Sequence, residues 1–362
     1  MSGTSRRERA VGAAGGAGAP GAAGADRPAS GRPGPGRHRV VAVSVSLIAA
    51  ALALAVVGSM SGDFAVSLPD VLGIVTGSTE GLPRTIVLEW RLPRIAAAAV
   101  VGIALGVAGG LFQTVTRNPL ASPDIMGLSN GAFVGMLGAL IVVGPSWESR
   151  TLGALIGGLV TALLIALLSS GTSAGGFRFI VVGIAVSSMA ASLGTWLLLQ
   201  VELDTALFAS AWGAGTLAGV EATGVGAAGV LVVLLLLVVP VLAPGLRQLG
   251  IGDDLAAVTG VRVERLRASS LVIGVALVCV ATTVSGPVAF VALAAPQIAR
   301  RLTRTAHVPL VASALTGAVV LLGSDLIAQH VLPVTVPVGV VTVVVGGCYL
   351  VWLLSRELRR RG

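Results

Sequence analysis

Lysine is missing from this chain of 362 residues, and all 24 of its basic residues are arginine. The Walker motif G-x-x-x-x-G-K-[ST] therefore cannot be completed, which argues against a P-loop ATPase in this chain. The arginine bias itself reads as the coding of a GC-rich bacterium rather than as chemistry. Cysteine is nearly absent. Cys279 and Cys348 stand far apart inside apolar runs, which argues against a disulfide framework and a thiolate site. His38, His307 and His330 are scattered without ligand spacing, so neither a metal nor another cofactor is expected. Aromatic residues make up only 4% of the chain, so its net charge of +8 is not organised into the basic, stacking stripe that nucleic acid requires. Charged residues reach 11%, well below the ~25% of soluble domains, and that removes an ordinary water-soluble fold from consideration.

What the chain does have is apolar length. Runs at about 40–57, 95–115, 126–144, 151–169, 179–199, 224–243, 268–285, 287–300, 308–328 and 337–354 approach the ~20 residues that a membrane helix needs. Glycine punctuates them, as expected where helices in lipid pack backbone to backbone. The reading is an all-α polytopic membrane protein of about ten transmembrane helices. The run at 287–300 is the shortest and is interrupted by Pro287 and Pro296. Residues 1–38 are rich in Gly, Ala, Pro and Arg, lack apolar periodicity and read as a disordered cytoplasmic tail. A cleavable leader competes with that reading, but the run at 40–57 is long enough to span and no A-x-A site follows it. The transmembrane domain is expected over 39–356, and 357–362 form a basic tail.

Charge sets the orientation. Ten spans place both termini on one side, together with twenty of the arginines. The other side holds Arg84, Arg91, Arg94 and Arg150 with most of the loop acids. By the positive-inside rule both termini are cytoplasmic, and a count of eight spans would give the same placement.

Several segments depart from plain membrane helix. Arg91 and Arg94, around Pro93, lie on the side that the charge rule disfavours. They fit either interfacial anchors that snorkel to headgroups or guanidinium partners for carboxylates of a docking protein. Asn118, Pro119 and Pro123 form a polar elbow in Arg117-Asn118-Pro119-Leu120-Ala121-Ser122-Pro123, where two prolines stop helix and Asn118 can bond freed backbone. Between about 246 and 267, Asp253 and Asp254 open a short helical pattern that Gly260 can close. Such a helix either caps the bundle or fills a cleft on a partner. Ser187, Ser188, Ser192 and Thr195 recur at helical spacing and would make one face of their span polar, although such hydroxyls also bond their own backbone. No carboxylate or histidine sits in that span, which argues against a proton relay; Asp325 is the only acidic candidate near any span. Without carboxylate, imidazole or thiolate rungs, such a face does not suit a bare metal cation.

These segments together resemble the FecCD-type permeases of ABC importers, which carry iron–siderophores, haem or cobalamin. The resemblance rests on R-L-P-R at 91–94, T-R-N-P-L-A-S-P-D-I-M-G at 116–127, G-D-D-x-A-x-x-x-G-V-x-V-x-R-x-R at 252–267, G-P-V-A-F-V-A-L-A-A-P-Q-I-A-R at 286–300 and P-V-G-V-V-T at 337–342, and it covers about residues 40–356. It implies the type II importer fold, alternating access and no enzymatic activity in this chain. It also implies that Arg91 and Arg94 dock a substrate-binding lipoprotein. Gly252, Asp253, Asp254, Ala256, Gly260, Arg262 and Arg265 would couple the chain to an ATPase, and Ser169, Ser170, Thr172 and Ser173 would fall at the cytoplasmic gate. Asn118, Pro119, Pro123, Gly286, Pro287, Pro296, Pro337 and Gly339 are its structural marks. The implied partners are a second permease subunit, two ATPase subunits that bind the ATP, the binding lipoprotein, and the lipid bilayer. This sequence has Gln329 where members often carry a third arginine, Gln297 for a histidine, Thr335 for a glutamate and Gly346-Gly347-Cys348-Tyr349 for G-A-P-F. Those departures resemble the ferric-enterobactin branch, whose two permease subunits are paralogues, so the expected cargo is an iron(III)–siderophore. An ion-gradient secondary transporter, a membrane anchor without transport, and a haem or cobalamin importer are the alternatives.

Overall fold

Ten apolar runs need ten helices, and the structure, a computed structural model that describes residues 35–62, 64–169 and 175–361, supplies them. Residues 1–34 of the tail expected over 1–38 lie outside the described residues, as do the gate positions Ser170, Thr172 and Ser173, and the first helix begins at Pro35 inside the expected tail. The order is α1 (Pro35–Met60), α2 (Leu68–Thr76), α3 (Leu82–Thr85), a π-helical turn (Ile86–Arg91), α4 (Leu92–Thr116), a 3-10 turn (Pro123–Met126), α5 (Leu128–Val142), α6 (Trp147–Ser169) and α7 (Gly175–Leu198). Then follow α8 (Leu203–Gly213), α9 (Ala222–Leu249), α10 (Asp253–Val258), α11 (Val263–Ser285), α12 (Val291–Thr303), α13 (Leu310–His330) and α14 (Val338–Arg361).

Among the described residues seven helices are long and apolar enough to cross a membrane, counting α3, the π turn and α4 as one. The shorter apolar helices α5 and α14, with α12, account for the remaining runs. One end of the bundle gathers Arg39, Arg117, Arg247 and Arg300, and the opposite end carries α2, α8 and Arg84.

The core forms around α4, which lies inside a ring of α13, α11, α12 and α9, while α1 sits at the rim with most of its apolar surface exposed. Lipid tails supply no hydrophobic drive between helices, so close backbone approach has to come from small side chains. Gly102 and Gly106 face α13 so closely that an added Cβ would stand 2.5 Å from the Gly317 carbonyl oxygen and 2.3 Å from that of Ser313. Gly109 faces α12 more closely still, with its would-be Cβ 1.7 Å from the Ala292 carbonyl oxygen. The reason is local. Pro296 has no N–H to offer the carbonyl four residues back, so the Ala292 oxygen turns toward α4.

Beside that contact a buried amide ladder joins the two helices. Gln113 Nε2 donates to the Leu293 carbonyl at 3.0 Å, and Gln297 Nε2 donates to Gln113 Oε1 at 2.5 Å. Gln297 therefore has a buried interhelical role in the helix that Pro296 perturbs.

The run expected at 287–300 shrinks to α12 because the chain breaks at Gly286 (φ 67°) and Phe290 (φ 68°). Gly286 and Gly339 both press on the turn after α8. A Cβ on Gly286 would meet the Trp212 oxygen at 2.1 Å, and one on Gly339 the Ala214 oxygen at 2.0 Å. The Thr216 amide closes the same knot by donating to Ser285 O at 2.7 Å, with Pro287 packed on Gly215. Pro337 stands just ahead of α14, at the edge of that knot.

Candidate functional site

At the end opposite the basic one, the π-helical turn widens the backbone just before Arg91 and leaves Trp90 66% exposed. Such turns frequently mark functional positions. Both arginines singled out in the sequence turn inward here. Arg91 donates to the carbonyls of Ser59 at 2.7 Å and Phe64 at 2.5 Å, tying α4 to the segment after α1. Arg94 forms a two-pronged bridge to Asp325 on α13, with Nη2 2.8 Å from Oδ1 and Nε 3.1 Å from Oδ2. Gln329 completes the set by donating to Asp325 Oδ2 at 2.7 Å.

The group lines a cavity of about 290 Å³ whose rim includes Phe64 and Trp90. Asp325 is almost wholly buried, so a lone carboxylate there would be costly and the guanidinium neutralises it. Only Nε and Nη2 of Arg94 are engaged by Asp325, and the side chain stays 24% exposed. The exposed cation of this end is Arg84, which is in no ion pair among the described residues and which the sequence reading used only to set orientation.

The elbow after α4 behaves as its residues dictate. Asn118 Oδ1 accepts from the Leu120 amide at 2.9 Å, and Pro123 opens the 3-10 turn behind the Ser122 cap. The chain then folds back into the bundle rather than staying at its end. Gly127 (φ 79°) lies against Ser187 in the middle of α7, where a Cβ would be 2.6 Å from the Ser187 Cα. Asp124 comes with it, accepting from the Ser122 hydroxyl at 3.0 Å and from the Phe290 amide. This corrects the expectation that Asp325 is the only acid near a span, because Asp124 is a second one, part-buried and held by two hydrogen bonds. Periodicity placed it in a loop and gave no sign that the loop re-enters.

The hydroxyls proposed to line a path divide into two groups. Ser187 faces α5 and accepts from Asn130 Nδ2 at 2.9 Å. Ser188, Ser192 and Thr195 share the exposed face of α7, and each hydroxyl donates to the carbonyl four residues earlier at 3.0 Å. Ser169 does the same with Ile165 at 2.6 Å. That face is therefore only weakly polar, because most of its donors are internally satisfied.

At the basic end, α10 begins after Gly252 (φ 146°) and closes at Gly260 (φ 87°), where the Val261 amide returns to Ala256 O at 3.1 Å. Its two faces differ. Ala256 is buried, and Asp253 is paired with Arg117 and Arg267 while its side chain stays 40% exposed; Asp254, Arg262 and Arg265 are exposed. The outer face carries Leu255 and Val258, at 58% and 86% exposure, and Ile251 stands just ahead of the helix at 72%. The sequence pattern put Leu255 and Val258 on this short helix, but six residues are too few to show which face is covered.

The FecCD transport family model matches residues 36–356. The chain is 40% identical over 325 residues to the ferric enterobactin transport system permease protein FepG of Escherichia coli (strain K12), covering 90% of this chain and 98% of that protein. It is 33% identical over 324 residues to the achromobactin transport system permease protein CbrC of Dickeya dadantii (87% and 91% covered). It is also 33% identical over 298 residues to the probable siderophore transport system permease protein YfhA of Bacillus subtilis (79% and 86% covered). A solved structure of an inward-facing ABC transporter of the metal-chelate type superposes with a TM-score of 0.78 at 23% identity, covering 87% of this chain and 99% of that one, a likeness of fold.

Proposed function

This chain belongs to the FecCD transport family, and from that premise we propose that it is a permease subunit of an ABC importer that carries an iron(III)–siderophore inward through a multi-pass membrane domain. The observation that carries the reading is likeness over nearly the whole of both chains to a ferric enterobactin permease. Geometry supports it at both ends of the bundle. The basic end is cytoplasmic by the charge rule, and there the exposed Ile251, Leu255 and Val258 offer an apolar ridge to a cleft on a separate ATPase subunit.

A second permease subunit, a paralogue in the branch that the sequence resembles, covers the broadly exposed, weakly polar face of α7. The cargo passes between the two. Weak polarity suits a chelate whose iron is already fully wrapped, since the path needs to slide past the ligand shell rather than replace it.

The opposite end receives the loaded binding protein. Because Arg94 is held by Asp325 and Arg91 by backbone carbonyls, the first cation a docking acidic surface meets is Arg84. Arg84→Glu is expected to weaken binding-protein affinity about tenfold, mostly through a slower association rate that is sensitive to salt. Thermal stability should be unchanged, since Arg84 holds nothing in the fold. Binding kinetics on the detergent-solubilised complex measure this, and an unaltered association rate would remove Arg84 from the docking surface. Radio-iron uptake by the reconstituted importer tests the function as a whole.

A further inference from the structure

Arg117 ends α4 in the left-handed conformation (φ 51°, ψ 27°), a position where helices ordinarily place glycine. A side chain with a Cβ is disfavoured there, and such strain persists where the surroundings hold it. What holds it is visible. From this backbone the guanidinium reaches across to the loop after α9, with Nε donating to Leu249 O at 3.2 Å and Nη2 to Asp253 Oδ1.

Asp253 is the first residue of α10, and its carboxylate also takes both prongs of a contact from Arg267 Nη2 on α11, at 2.8 and 2.9 Å. The cytoplasmic ends of α4, α9, α10 and α11 thus converge on one carboxylate and two guanidiniums. The neighbouring hydroxyl of Thr259 fastens α10 to α9 alone, by donating to Gln248 Oε1 at 2.9 Å. Arg267 Nε is buried without a partner, so this junction has hydrogen-bonding capacity that its present geometry leaves unused.

We propose that Arg117 is a positioning residue that carries the movement of α10 into α4, the central helix of the bundle, through Asp253 and Leu249. The proposal rests on the importer reading, in which the ATPase grips the exposed face of α10. The ridge Ile251–Val258 takes hold of the partner, and Arg117 on the inner side hands the displacement to α4. The glycine contacts of α4 then pass it to α12 and α13. Charge-assisted hydrogen bonds suit such a joint because they are directional and can re-form on a new partner atom.

The test uses the whole complex with its ATPases and binding protein in proteoliposomes, with ferric enterobactin as the transported probe. Arg117→Gln is expected to keep the ATPase bound and hydrolysing ATP while the chelate moved per ATP falls about tenfold, and Arg117→Lys is expected to recover most of that loss. A second readout needs no chelate. In a cysteine-free background, spin labels at Leu92→Cys on α4 and Leu203→Cys on α8 should change separation when ATP and vanadate trap the wild-type complex. They should stay still in Arg117→Gln.

Wild-type coupling and an unchanged label response in Arg117→Gln would overturn the proposal. Loss of ATPase association in that variant would also overturn it, since Arg117 would then merely shape the docking surface. Absence of any ATP-driven response in the wild type would strike the importer reading itself, and the proposal would fall with it.

Discussion

Glutamate at both Leu255 and Val258 is expected to abolish capture of the ATPase subunit and, with it, all ATP-driven uptake. The two side chains are 58% and 86% exposed on a helix whose opposite face is buried, so they do nothing for the fold of the isolated chain. Buried in a partner's cleft, each would contribute about 1.5–3 kcal/mol, and the pair therefore supports an affinity change of about a hundredfold or more. Replacing them with carboxylates also sets unpaired charge against the cleft, which raises the loss further. Co-purification of the ATPase with the tagged permease measures the effect. Unchanged thermal stability of the permease confirms that the fold is intact. Ala256→Glu makes the contrast, since Ala256 is buried and its substitution should damage the fold first. Normal ATPase capture by the double glutamate variant would show that the ridge is not the docking element.

Gly109→Leu is expected to leave almost no folded permease. A Cβ at this position would lie 1.7 Å from the Ala292 carbonyl oxygen, a distance that only movement of α4 away from α12 could relieve. Overpacking by a single methylene already costs about 1–3 kcal/mol where the neighbours cannot yield, and here the neighbour is backbone. The shift would also pull Gln113 from Leu293 O and Gln297, leaving buried amides without partners. Gly138→Leu is the matched control, because nothing lies within 4 Å of a Cβ there and folded yield should hold. The yield of monodisperse protein by size-exclusion chromatography reads both. A wild-type profile for Gly109→Leu would mean that α4 and α12 are not packed backbone to backbone.

Much of this architecture was written in composition. Apolar runs with terminal arginines located the ten apolar helices of the bundle, and the proline pair at 119 and 123 marked the elbow. The failures share a physical cause, which is that local pattern carries no depth. The elbow at 118–123 was legible, but nothing in the sequence showed that Asp124 and Gly127 just beyond it re-enter the bundle, where glycine lets the backbone lie directly on Ser187. The run at 287–300 was read from hydropathy as one segment, while positive φ at Gly286 and Phe290 shortens its helix to α12.

Arg91 and Arg94 were legible as unusual arginines, but not as bonded ones. Asp325 is remote in sequence from Arg94, and a run of small residues gives no sign that α4 and α13 lie close enough for the two to meet. In the loop at 246–267, motif spacing drew attention to Ala256, which is buried, and to Asp253, which is tied to Arg117 and Arg267. The residues left outside, Ile251, Leu255 and Val258, are ordinary apolar side chains whose meaning comes only from exposure.

The central claim is that ATP hydrolysis by a partner, triggered by a loaded binding protein, drives a ferric chelate through this permease. Its most direct test is simultaneous measurement of ATP turnover and radio-iron uptake in proteoliposomes containing the complete complex, with ferric-enterobactin-loaded binding protein added outside. The account predicts that turnover rises when the loaded binding protein is present, that uptake follows it, and that vanadate stops both. Uptake that continues at full rate under vanadate while a proton gradient is maintained would contradict it.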